Sequence, residues 1–123
     1  MNLDVEIPNT AKAPWHARRA VEGLGDAIDP AVVPDVLLLV SELITNSVKY
    51  GREGSAVRLQ IEAPTPKKVR VEVVNQGASF EPKARDRPVT DVGGWGLHLV
   101  EELTDRWGVH EGSTHVWFEI DRT

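Results

Sequence analysis

The sequence predicts an α+β protein: a two-layer sandwich with a mixed, mostly antiparallel β-sheet and about three α-helices on one face. Three observations lead there. Five short stretches alternate apolar and polar residues, as half-buried strands do. Three stretches space their apolar residues three and four apart, as helices do. The later strand-like stretches also come in neighbouring pairs instead of alternating one to one with helices, so they should pair locally. At 123 residues the chain is expected to be a single domain, 1–123, large enough to bury one core.

The elements follow in order. Leu3, Val5 and Ile7 alternate with Asp4 and Glu6, and Pro8 closes this first strand. Thr10 is placed to cap a helix that runs through Trp15, Arg18 and Arg19 to about Gly23–Gly25. Asp29-Pro30 reads as an N-cap followed by proline at the first helical position, although Pro34 can delay the regular part. This second helix should end at Tyr50, with Gly51 beyond it. Ser55–Ala63 places Val57, Leu59 and Ile61 on one face, and Lys68–Val74 does the same with Val69, Val71 and Val73. The turn Ala63–Lys67 would join them as a hairpin. Asn75–Thr90 is polar, holds Gly77, Pro82 and Pro88, and reads as a loop long enough to suspect a function or a lid. After Gly93-Gly94-Trp95-Gly96, the residues Leu97, Leu99, Val100 and Leu103 have helical spacing. Two short strands, near Trp107–His110 and Thr114–Ile120, close the chain.

Composition excludes several functions. Hydrophobic residues make up 41% and charged residues 27%, as in an ordinary globular protein and not a disordered one. A net charge of −5 argues against a nucleic-acid partner, which needs a basic face. Without cysteine there is no disulfide framework or thiol chemistry. The longest apolar run, Val36–Val40, is far too short to span a membrane. Met1–Asn9 has neither the basic nor the apolar stretch of a signal peptide, so a cytoplasmic location is expected. The four histidines are scattered without metal-ligand spacing. Trp107 and Trp117 are expected in the core or beneath the sheet, whereas Trp15 fits either the core or a partner surface.

Three groups of residues carry possible chemistry. Glu42 and Asn46 lie one turn apart on the second helix, at the edge of its apolar arc. There they could line a cleft: a carboxylate can act as a general base, and an amide oxygen is a hard ligand suited to Mg²⁺. A helical Glu is more often a solvated charge, but Asn is a poor helix-interior residue and is the more informative of the two. Gly93, Gly94 and Gly96 precede a helix, where backbone N–H groups and the helix dipole suit phosphate; a flexible connector would use the same residues. Asn75-Gln76-Gly77 follows a strand. It either makes a turn or brings the Asn75 side chain to a base edge.

Taken together, these segments resemble a known superfamily. Glu42-Leu43-Ile44-Thr45-Asn46 is similar to the N box of the GHKL (Bergerat-fold) ATPases. Asn75-Gln76-Gly77-Ala78-Ser79-Phe80 resembles their first glycine box, and Gly93-Gly94-Trp95-Gly96-Leu97 their second. Leu39–Gly51 and the closing segments Asp105–Gly108 and Val116–Ile120 look most like the stand-alone anti-sigma-factor serine/threonine kinases. The resemblance implies a histidine-kinase-like ATPase fold that takes ATP and Mg²⁺. Glu42 would be the catalytic base, and Asn46 would hold Mg²⁺ against the ATP phosphates. Asn75 and Gly77 would meet adenine. Gly93, Gly94, Gly96 and Leu97 would wrap the phosphates, with Thr114 at the adenine end. The implied partners are a sigma factor and an anti-sigma-factor antagonist protein, and the resemblance suggests a homodimer. The alternative is a non-catalytic module of the same fold that sequesters a regulator. Asn75 stands where the family has Asp, and Ser79 where it has a second glycine. A neutral acceptor is weaker than a charged one, so weaker ATP binding is expected, and Asn75→Asp is expected to tighten it.

Overall fold

Each alternating stretch has one apolar and one polar side, and a sheet covered on one face satisfies both. The computed structural model describes residues 1–50, 55–76, 99–110 and 115–123. Its strands are β1 (Asn2–Pro8), β2 (Ala56–Thr65), β3 (Lys68–Gln76), β4 (Arg106–His110) and β5 (His115–Asp121), arranged in one sheet in the order β1-β2-β3-β5-β4. All four neighbouring pairs are antiparallel, so the expected mixed character finds no parallel pair among the described residues. The helices are α1 (Ala13–Glu22) and α2 (Val33–Tyr50), with a 3₁₀ turn at Gly25–Ala27 between them. A third, α3, is described over residues 99–103.

Both helix starts lie slightly later than the sequence predicts, for the same reason. Asp29 does cap, but it caps a turn: its Oδ1 accepts the Ala31 N–H at 2.8 Å, and its carbonyl accepts those of Val32 and Val33 at 2.8 and 3.1 Å. α2 itself begins at Val33, with Pro34 in the first turn where a missing N–H costs nothing. Thr10 Oγ1 similarly accepts the Lys12 N–H at 3.3 Å, and α1 opens at Ala13 beside Pro14. Gly25 then turns the chain with φ +54, a conformation that glycine adopts freely. In the β2–β3 hairpin, Thr65 pairs with Lys68, and a register shift between Glu62 and Thr65 accommodates one extra residue on β2 beside Pro64. The turn is therefore Pro66-Lys67, and the Pro66 carbonyl accepts the Asp29 N–H at 2.8 Å. β3 continues through Gln76, which places Asn75 inside the strand and not at the head of a loop.

The helices cover one face of the sheet. Ala13, Ala17 and Val21 of α1, Val36, Leu39, Val40, Leu43 and Ile44 of α2, and Val100 of α3 meet the inward strand residues. Those include Val57, Leu59 and Ile61, then Val69, Val71 and Val73, then Phe118 and Ile120, none more than 3% exposed. Each large side chain buried this way contributes roughly 1.5–3 kcal/mol. Trp107 packs partly buried against this core. Trp117 does not: alternation puts it on the opposite face, under the Arg70 guanidinium at 4.4 Å from the ring centroid. Its ring also lies over Gly108, where a Cβ would meet Trp117 Nε1 at 2.6 Å, so this strand position needs glycine for space.

Candidate functional site

α2 and β3 bring three of the candidate residues into one neighbourhood. The apolar arc of α2 is buried on the sheet, and Glu42 and Asn46 sit at its edge, both half-buried. Neither has a hydrogen-bond or ion-pair partner among the described residues. Thr45, between them in the chain, is satisfied within the helix, because its Oγ1 donates to the Ser41 carbonyl at 2.7 Å. Glu42 and Asn46 are thus held by the helix and half covered, with their polar ends uncommitted among the described residues.

Asn75 is the unusual residue. It continues the inward row of Val71 and Val73, pairs with Val57 across the ladder, and is only 4% exposed. Its Nδ2 donates to the Ser47 carbonyl at 3.4 Å. Its Oδ1 is buried and has no hydrogen-bond partner among the described residues. A buried carbonyl oxygen without a donor costs about 1–3 kcal/mol. Uncompensated among the described residues, such a cost on the apolar face of a sheet makes Asn75 a candidate for a role outside packing. The group without a partner among the described residues is an acceptor, and the partner it can take is an N–H or O–H donor.

Sequence reasoning missed the Ser47 carbonyl, which fixes the polarity of this site. Ser47 is a small residue on the apolar arc of α2, 7% exposed, and its sequence signal is indistinguishable from packing. It lies in the last turn of a helix that ends at Tyr50, where carbonyls run short of intrahelical donors and the dipole is negative. The Asn75 amide supplies a donor there. An Asp at this position would set a carboxylate against that carbonyl in place of the amide donor.

Gly77, Ser79, Gly93, Gly94, Gly96, Leu97 and Thr114 lie outside the described residues. α3, described over 99–103, has Val100 fully in the core and has the helical character its spacing predicts. Among the described residues no group of three or more His, Asp or Glu could hold a metal ion. Trp15 lies at the surface, 58% exposed, with Arg19 over its ring at 5.6 Å. Among the described residues no helix is long and apolar enough to cross a membrane.

Comparison with known proteins bears on the family and the fold. The family profile of the histidine kinase-like ATPase domain matches residues 8–120. The anti-sigma F factor of Clostridium beijerinckii is 27% identical over 115 residues, covering 84% of this chain and 80% of that protein. The crystal structure of the RsbU and RsbW domains of Rv1364c from Mycobacterium tuberculosis matches with a TM-score of 0.66 at 17% identity. The match covers 98% of this chain and 31% of that one, so this chain spans under a third of its length. At that identity the likeness speaks to the fold alone.

Proposed function

This chain belongs to the histidine kinase-like ATPase domain family, and from that premise we propose that it is an ATP-binding, anti-sigma-type protein serine/threonine kinase. The observation that carries the nucleotide reading is the buried Oδ1 of Asn75, which has no hydrogen-bond partner among the described residues. An exocyclic amino group of adenine is the kind of donor it can take. The anti-sigma part of the reading is supported by the likeness to the Clostridium beijerinckii protein. By this reading the chain binds a sigma factor and phosphorylates an antagonist protein in the cytoplasm.

The residue roles follow from their chemistry. Asn75 accepts a hydrogen bond from the adenine amino group, with Gly77 and Thr114 nearby in the pocket. Asn46 presents an amide oxygen to Mg²⁺, whose part is to neutralise phosphate charge. Gly93, Gly94, Gly96 and Leu97 cradle the phosphates with backbone N–H groups. Glu42 takes the proton of a partner serine hydroxyl. As it does, the hydroxyl oxygen bonds to the γ-phosphorus, and the bond from that phosphorus to the bridging oxygen breaks to release ADP.

The test has two stages. Mg-ATP at about 100 times its dissociation constant should stabilise the fold by roughly 2.7 kcal/mol in thermal unfolding. Labelled phosphate should then pass from ATP to a candidate antagonist with the wild type and not with Glu42→Gln. No nucleotide stabilisation would defeat the reading. Stabilisation without transfer would favour the second reading, a non-catalytic module that sequesters its partner, which the uncharged Asn75 motivates.

A further inference from the structure

Candidate residues succeed one another along α2, and one exposed residue continues the row. The Ser47 carbonyl holds the Asn75 amide near the C-terminal end of the helix. Asn46 comes next, then Glu42 one turn nearer the N-terminus, both half-buried. One further turn on lies Leu38, 42% exposed. Along the axis, at ~1.5 Å per residue, Glu42 is about 8 Å and Leu38 about 14 Å from Ser47. Residues four apart share a helix face, so Leu38 and Glu42 are surface neighbours, about 5–6 Å apart between Cβ atoms. Leu38 differs from the rest of its apolar run. Val36, Leu39 and Val40 are fully buried and Leu37 packs partly buried against the core, whereas Leu38 faces outward. The polar groups around it are already committed. Asp35, one turn before Leu38, pairs with Arg122 at 3.0 Å, and Thr45 Oγ1 donates to the Ser41 carbonyl. The surface leading up to Glu42 is thus an apolar spot bordered by a neutralised ion pair, which suits an apolar contact better than a charged one.

We propose that Leu38 is a specificity-determining residue for the phosphate acceptor: it receives an apolar side chain from the partner segment that carries the acceptor serine. This deepens the reading given under Proposed function and rests on it. With a base at Asn75 and phosphates at Asn46, the reacting phosphorus lies beside Glu42. Displacement at phosphorus is in line, so the serine oxygen enters opposite the bridging oxygen that leaves with ADP. Its proton passes to Glu42 as the new bond to phosphorus forms and the old one breaks. The acceptor must therefore reach Glu42 from the side away from Asn46, and Leu38 is the side chain that α2 exposes there. The chain flanking the serine then lies across Leu38, and an apolar residue in that flank loses its contact with water on binding. The same contact holds the partner whether or not phosphate is transferred, so it can be measured without nucleotide.

The experiment uses the full chain and the candidate antagonist of the transfer assay, with wild type, Leu38→Ala, Leu38→Met and Leu38→Asp. It reads the antagonist's dissociation constant by calorimetry without nucleotide, the KM and kcat of transfer, and the affinity for Mg-ATP. Leu38→Ala should raise the antagonist's dissociation constant and its KM about tenfold. Leu38→Asp should raise them further, and Leu38→Met should stay within about twofold of wild type. The kcat should change by less than about twofold and Mg-ATP affinity not at all, because Leu38 lies beyond both base and phosphates. The melting temperature should move by no more than about 3 °C, as for other exposed side chains. Arg58→Ala, which breaks an exposed pair with Asp4 on the outer face of the sheet, should change none of the antagonist readouts. An alanine scan of the antagonist around its acceptor serine should find an apolar position whose loss costs wild type about tenfold and costs Leu38→Ala little more. Unchanged dissociation constant and KM in Leu38→Ala would overturn the proposal and leave the kinase reading standing. Binding without transfer by the wild type would defeat the kinase reading; a tenfold weaker complex with Leu38→Ala would then still support the docking contact, and an equal one would overturn it. An antagonist neither bound nor phosphorylated by the wild type would overturn both.

Discussion

The two faces of the sheet solve opposite problems, and a polar group means something different on each. On the outer face, charges come in partnered sets. Arg70 bonds Glu72 at 2.8 Å and Glu119 at 3.0 Å, Arg106 bonds Glu119 at 3.0 Å, and His115 meets Glu72 at 3.2 Å. Arg58 and Asp4 pair at 2.6 Å further along. Every one of these groups can be explained by strand pairing beside water. On the inner face the rule is hydrocarbon, and Asn75 breaks it with an oxygen that nothing described satisfies. The many charges outside mark a well-solvated surface, whereas one amide inside marks a candidate ligand contact.

The comparison can be tested by substitution, beginning with the largest effect. Phe118→Ala on the dry face removes a ring that is 0% exposed and should cost about 3–5 kcal/mol in denaturant unfolding. A loss under about 1 kcal/mol would mean that the inner face is not tightly packed. Asn75→Asp tests the exception. It replaces the donor on the Ser47 carbonyl with a buried carboxylate and should destabilise the fold by about 1–3 kcal/mol near pH 7. Folding raises the pKa of such an acid, so the penalty is present above its unfolded value of about 3.9 and shrinks as pH falls towards it. Asn75→Asp should also weaken Mg-ATP binding in calorimetry, the opposite of the sequence-level expectation.

How much of this was legible in sequence follows from where the physics is local. Strand faces were readable from Val57 to Val73 because alternation is a property of neighbours. α2 was readable to its last residue because its apolar arc and Gly51 agree. The helix starts were less so: Asp29 and Thr10 cap turns as readily as helices, and the prolines after them decide. The side-by-side placement of Glu42 and Asn46 followed from helical spacing. The bond from Asn75 to Ser47 did not, because it joins a side chain to a backbone carbonyl 28 residues away. No residue type encodes a backbone acceptor.

The smallest effect belongs to the outer face. Burial pushes the Glu72 carboxyl up, but the hydrogen bond and charge of Arg70, with His115 alongside, outweigh it and hold the group below its ordinary 4.5. A depressed folded-state pKa means that the carboxylate contributes stability above about pH 4.5, and that this is lost as pH falls through the depressed value. Glu72→Gln should therefore cost under about 1 kcal/mol at pH 7, and the gap from wild type should close as pH falls through the depressed value. A gap that widens on acidification would contradict the assignment.

The central claim is that the buried acceptor of Asn75 receives a donor from a bound nucleobase. Its most direct measurement compares, by calorimetry, Mg-ATP with the matching purine riboside triphosphate lacking the 6-amino group, on wild type and on Asn75→Ala. Loss of the amino group should weaken binding to wild type by about tenfold, near 1.4 kcal/mol, and should make no difference to Asn75→Ala. Equal affinities of wild type for the two nucleotides, or an equal loss in both proteins, would contradict the claim.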